Sequence, residues 1–155
     1  MSRRPAVALA VLTAAAVGLV PAHAATKPKP KPFKGTYNVS LYPDPTPDVI
    51  GQVKDAPVCG TLPQSMNKHP LVVPGAGKLK VHLVSPDPAP AAEPLLFDWD
   101  LYLLDSDGGV IDSSHTEFAT EETNTKFKKK TALTILVCNL TGEPSGTVTY
   151  SYSPS

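Results

Sequence analysis

From Phe97 to Leu103 the chain alternates without a break. Phe97, Trp99, Leu101 and Leu103 fall on one phase, and Asp98, Asp100 and Tyr102 on the other. A period of two belongs to a strand with one face in a core; a helix, at about 3.6 residues per turn, would scatter these residues round its surface. Asp105-Ser106-Asp107-Gly108-Gly109 follows. Aspartate bonds its own backbone and glycine tolerates positive φ, so this is a turn. Val110-Ile111-Asp112 returns as the partner strand, and the hairpin carries the only tryptophan, the expected core anchor.

The same alternation recurs elsewhere. Thr36 to Tyr42 predicts the first strand. Lys78 to Ser85 alternates Leu79, Val81 and Leu83 inward with Lys78, Lys80 and His82 outward, which makes His82 a solvated strand residue. Thr147 to Tyr152 predicts the last strand. Val49 to Val53, Leu71 to Val73 and Glu117 to Ala119 are short strand candidates, the last at an edge. Lys126 to Leu140 predicts a long strand, apolar on both phases from Ala132 onward, as for a strand covered on both sides or one that switches faces. Proline breaks the intervals: Pro43 to Pro47, a punctuated stretch after Cys59 as far as Pro70, and a surface loop from Pro86 to Pro94. No segment sustains a helical period. The expected fold is all-β, an antiparallel β-sandwich or jelly roll of about eight strands spanning residues 35–155 as one domain.

Ahead of it lie two segments of another kind. Met1 to Ala24 has Arg3 and Arg4, an apolar run from Ala6 to Val20 and the small-residue site Ala22-His23-Ala24. This is the pattern of a secretory signal peptide cleaved after Ala24. The competing reading, an uncleaved anchor, fits less well because the run is short for a span. Localisation is therefore expected to be extracellular, with no membrane span after cleavage. Residues 25–34, ATKPKPKPFK, alternate lysine with proline and read as a stiff, solvated polyproline II tether. It serves as a spacer or as a basic attachment to anionic envelope polymers.

Charge narrows the partners. Without Arg3, Arg4 and the four tether lysines, eight basic residues stand against fourteen acidic ones, a net of −6. Such a balance argues against nucleic acid, whose phosphates require a positive surface. Cys59 and Cys138 are the only cysteines. In an exported chain they are expected to form a disulfide worth about 4 kcal/mol in the chain-entropy model; two buried free thiols are the alternative. His69, His82 and His115 show no zinc-ligand spacing with them.

Gly77 to Leu83, the D-x-D-L-Y-L run Asp98 to Leu103, the turn and return from Asp107-Gly108 to Ser113-Ser114, and the last strands from Ile135 to Tyr152 together resemble the bacterial pre-peptidase C-terminal domain. That family is a small β-sandwich appended to secreted peptidases. Glu117 or Glu121 matches the acidic residue that often follows the return strand. Lys128-Lys129-Lys130-Thr131 stands where the family has a G-x-Y opening, and the two cysteines are not a family feature. The resemblance implies a free-standing secreted relative and, because some members bind calcium, draws attention to acids at the hairpin tip.

Asp105, Asp107 and Asp112 are the candidate calcium ligands; the competing role is a turn whose aspartates bond their own backbone, and that reading needs no cofactor. Asp98 and Asp100 share a strand face, an arrangement that does not flank a substrate as paired glycosidase acids do. Ser113, Ser114 and His115 adjoin in sequence, which does not make a triad. Lys126, Lys128, Lys129 and Lys130 form a basic cluster, either a solvated edge or an anion-binding patch. The five tyrosines are strand fillers or a surface for sugars or peptides. Three functions follow: a non-catalytic module binding an extracellular polysaccharide or protein, a structural envelope protein held by its tether, and, last, a small secreted hydrolase.

Overall fold

The computed structural model describes residues 28–44, 59, 62–86, 98–116 and 120–155. The expected signal peptide, the start of the tether, the strand at Val49 to Val53, most of the loop from Pro86 to Pro94, Phe97 and the edge strand at Glu117 to Ala119 lie outside the described residues.

Among the described residues there are eight strands: β1 (Phe33–Ser40), β2 (Met66–Val73), β3 (Gly77–Val84), β4 (Asp98–Leu104), β5 (Val110–Ser114), β6 (Thr120–Phe127), β7 (Thr131–Thr141) and β8 (Ser145–Pro154), with one 3-10 turn, Pro63–Ser65, ahead of β2. They form two four-stranded antiparallel sheets, ordered β1-β8-β3-β6 and β2-β7-β4-β5. The order has a simple origin. β4 pairs with β5, β3 with β6, β2 with β7 and β1 with β8, as in one long hairpin whose tip is the β4–β5 turn. Wrapping that hairpin so that β3 meets β8 and β4 meets β7 closes the two sheets into a jelly roll.

The stretch with the clearest alternation is therefore the tip of the whole ladder. Its turn is built by Asp105, whose Oδ1 accepts from the N–H of Asp107 at 2.9 Å and of Gly109 at 2.8 Å. Gly108, at φ 86°, takes the left-handed conformation that other residues avoid. Trp99, Leu101 and Leu103 are fully buried between the sheets with Leu79, Val81, Leu83, Ile135, Val137 and Val148, as the alternation requires.

Four boundaries differ from the sequence reading. β1 starts at Phe33, taking Phe33 and Lys34 into the sheet, and ends at Ser40; Leu41 leaves to give its N–H to the Pro144 carbonyl. β2 reaches back from Leu71 to Met66 through Pro70, which is tolerated because β2 is an edge strand bonded to β7 alone. The run from Lys126 is two strands, with residues 128–130 as the turn between β6 and β7. β6 itself escapes hydropathy: its inward positions Glu121, Thr123 and Thr125 are polar, and only Phe127 is apolar.

The two seams of the sandwich are closed by different chemistry. Between β5 and β6, Thr125 donates to Asp112, and the hydroxyls of Ser114 and Thr116 donate to the buried Glu121, which also accepts the Thr116 N–H at 2.9 Å. Between β1 and β2 the closure is aromatic. Tyr37 stacks on His69 with ring centroids 4.3 Å apart, and the Tyr150 ring lies 5.7 Å from His69; within the sheet Phe33 stacks on its ladder partner Tyr152 at 5.2 Å. Tyr150 lies across Gly35, where a Cβ would fall 2.3 Å from its ring.

Candidate ligand-binding face

The outer faces of the two sheets differ in kind. On β2-β7-β4-β5 a second small core covers part of the outer surface: Tyr102, Leu104 and Leu136 are buried with Cys59 and Cys138, and Met66 and Val110 pack against them. The Cys59–Cys138 disulfide is formed, with Cα atoms 5.5 Å apart, and ties the segment before β2 to the middle of β7. The phase of β4 expected to be solvated is thus buried as well, Asp100 and Tyr102 included. Asp100 keeps one hydrogen bond, from the Tyr102 hydroxyl at 2.9 Å. Burial pushes its pKa up to about 7; that bond and the charge of His115 act the other way, while Asp98 and Glu121 add to the rise.

Among the described residues nothing covers the outer face of β1-β8-β3-β6. Across β1, β8, β3 and β6 the register sets Lys34, Ser151, Lys80 and Asn124 in one row, then Thr36, Thr149, His82 and Glu122, then Asn38, Thr147, Val84 and Thr120. At the other end Ser153, Lys78 and Lys126 form a row without a β1 member. Every one of these side chains is exposed or half-buried, and Val84 alone is apolar. Neighbours in a row stand about 4.8 Å apart, and neighbours along a strand about 7 Å, so the face is a lattice made mostly of hydroxyl, amide and ammonium groups, with a shallow concavity of about 310 Å³ among Lys34, Thr36, Lys80, His82, Thr149 and Ser151. Lys80 bonds Glu122 at 2.8 Å, which holds that carboxyl below its ordinary range. The other three lysines of the face have no ion pair among the described residues.

Each residue singled out by sequence now has a place. Asp105 serves the hairpin turn and Asp112 binds Thr125 and the Ser113 N–H, so the three calcium candidates are not brought together; among the described residues no three His, Cys, Asp or Glu side chains converge. Ser114 bonds Glu121, while the His115 ring stacks with Tyr102 at 6.2 Å. His82 is half-buried in the open lattice. Tyr152 and Tyr102 are buried, Tyr37 and Tyr150 fill the β1–β2 seam, and only Tyr42 is largely exposed, at 68 %. Burial, with Tyr150 nearby, raises the Tyr37 pKa, and its hydroxyl has no hydrogen-bond partner among the described residues.

The face itself was only partly visible in sequence. The alternation of β3 put Lys78, Lys80 and His82 outward, but Lys34 and Lys126 are remote in the chain and join them only through strand order. The outward phase of β6 was available as a run of alternating polar residues, a weak signal without an apolar partner phase. Compared with family models and with curated proteins, the chain matches none.

Proposed function

We propose that this chain is an exported, non-catalytic β-sandwich that binds an extracellular ligand, a polysaccharide or a protein, through the open face of β1-β8-β3-β6. The observation that carries the reading is the asymmetry between the sheets. One outer face is partly sealed by a second core and a disulfide; the other is uncovered among the described residues and almost wholly polar. The disulfide supports export, since such bonds persist in oxidising compartments. The sandwich and the D-x-D-L-Y-L strand at its tip support kinship with pre-peptidase C-terminal domains, as a free-standing relative.

The test works whichever ligand is bound. Protein recovered from the medium of cells expressing the full chain is passed over immobilised extracellular polysaccharides and matrix proteins. A polyethylene glycol chain attached to Ser151→Cys should abolish retention on whichever support binds. The same chain on Lys68→Cys, an exposed position of β2, should leave retention intact. Equal retention of both conjugates would refute the assignment of the face.

A further inference from the structure

The lattice also carries a sign. Its charged positions are four lysines and one glutamate, in a domain whose remaining charge is negative. Lys78 and Lys126 stand directly opposite each other in the β3–β6 ladder, a like-charge pair that costs sheet stability. The single acid on the face is already held by Lys80. The basic character continues beyond the lattice. β6 runs from Lys126 into the exposed lysines 128–130, and β1 enters at the same end, preceded by exposed Lys29 and Lys31. This entry is fixed against the fold: a Cβ on Gly75, in the β2–β3 turn, would lie 2.5 Å from Pro30.

We infer that the ligand is a carboxylated extracellular polysaccharide, laid across the strands at the end of the face that carries Lys34, Lys78, Lys80 and Lys126. The inference rests on the binding face proposed above and gives it a ligand class. Lys34 and Lys80 lie two strands apart, about 10 Å, so a linear polyanion crossing the sheet meets a cation at both ends of that span. Between and beside them Ser151, Ser153 and Asn124 offer hydrogen bonds suited to sugar hydroxyls. Among the described residues no Phe, Tyr or Trp stands in these outward rows and half-buried His82 is the one ring there, which favours a charged ligand over a neutral sugar or a nucleobase that binds by stacking. A bound carboxylate relieves the Lys78–Lys126 repulsion beyond what Glu122, bonded to Lys80 and also acting on Lys78, supplies.

The test uses beads of polygalacturonate, beads of neutral dextran and a DNA duplex. The protein should be retained on polygalacturonate and pass dextran. Retention should fall about tenfold or more when NaCl is raised from about 0.05 M to about 0.5 M, because exposed charges are screened. Lys34→Gln/Lys78→Gln/Lys126→Gln should weaken binding about tenfold or more, with Lys68→Gln unchanged. Glutamine is one atom shorter but keeps a polar side chain on the exposed face and removes the Lys78–Lys126 repulsion, so circular dichroism should show the variant folded. Failure to bind polygalacturonate, undiminished binding by the triple variant, or tighter binding to the duplex would each overturn the inference. Retention on a neutral support that is blocked at Ser151 would overturn the polyanion and leave the binding face standing; retention unaffected at Ser151 removes both.

Discussion

Asp100 is the residue whose environment departs furthest from what its position in the sequence implies. A carboxyl on the polar phase of an alternating strand should be solvated, yet it is 4 % exposed beneath the second core. With a folded pKa of about 7 and an unfolded value near 3.9, the native state holds the extra proton between those limits. The Asp100 contribution to stability is therefore greatest below about pH 4, declines as pH rises towards 7 and is flat above, by an amount on the order of a few kcal/mol. Urea unfolding at pH 4.5 and 7.5 should show this slope, and Asp100→Asn should remove most of it. Tyr37 tests the opposite situation. Its hydroxyl is buried without a partner among the described residues, so Tyr37→Phe should be neutral or stabilising by about 0–1 kcal/mol, read from the urea midpoint. Trp99 is fully buried against the β8 backbone at Gly146; Trp99→Ala should cost about 3–5 kcal/mol, and native fluorescence should be blue-shifted.

Among elements, the legible ones were those that put apolar side chains on one phase. β3, β4 and β8 could be read because Leu79-Val81-Leu83, Trp99-Leu101-Leu103 and Val148-Tyr150-Tyr152 each face the core while polar residues face away. β6 could not, because its inward positions Glu121, Thr123 and Thr125 are polar; Glu121 and Thr125 are held inside by hydrogen bonds across the seam to β5. Pairing between residues far apart in the chain is invisible to hydropathy, and so is the proposed binding face, whose lysines come from β1, β3 and β6. The second core was hidden for a related reason: an outward phase is assigned to solvent by default, and nothing local to β4 announces that another segment covers it. The β5–β6 seam makes a test at this scale. Glu121→Ala leaves the Ser114 and Thr116 donors without their shared acceptor, and should cost about 2–3 kcal/mol. Glu121→Gln, which keeps an acceptor, should recover part of that loss in the same unfolding assay.

For the whole molecule, the wrapped hairpin makes distant partners: Phe33 pairs with Tyr152, so the two ends of the chain must meet before the ladder is complete. Such long-range order is slow to form and entropically expensive. The disulfide acts on this directly. It joins Cys59 to Cys138, 79 positions apart, close to where β2 pairs with β7 at Met66 and Cys138. With the bridge intact the unfolded chain already holds these two strands near each other, and the second core is fastened to its sheet. Breaking the bridge should therefore change both states. The native state loses about 2–5 kcal/mol relative to the unfolded one. The unfolded state also expands, so more surface is exposed on unfolding and the dependence on urea steepens. Cys59→Ala/Cys138→Ala should show a lower urea midpoint and a larger m-value than the bridged protein. A lower midpoint with an unchanged m-value would place the effect in the packing of Tyr102, Leu104 and Leu136 under the cysteines rather than in the chain entropy of the ladder.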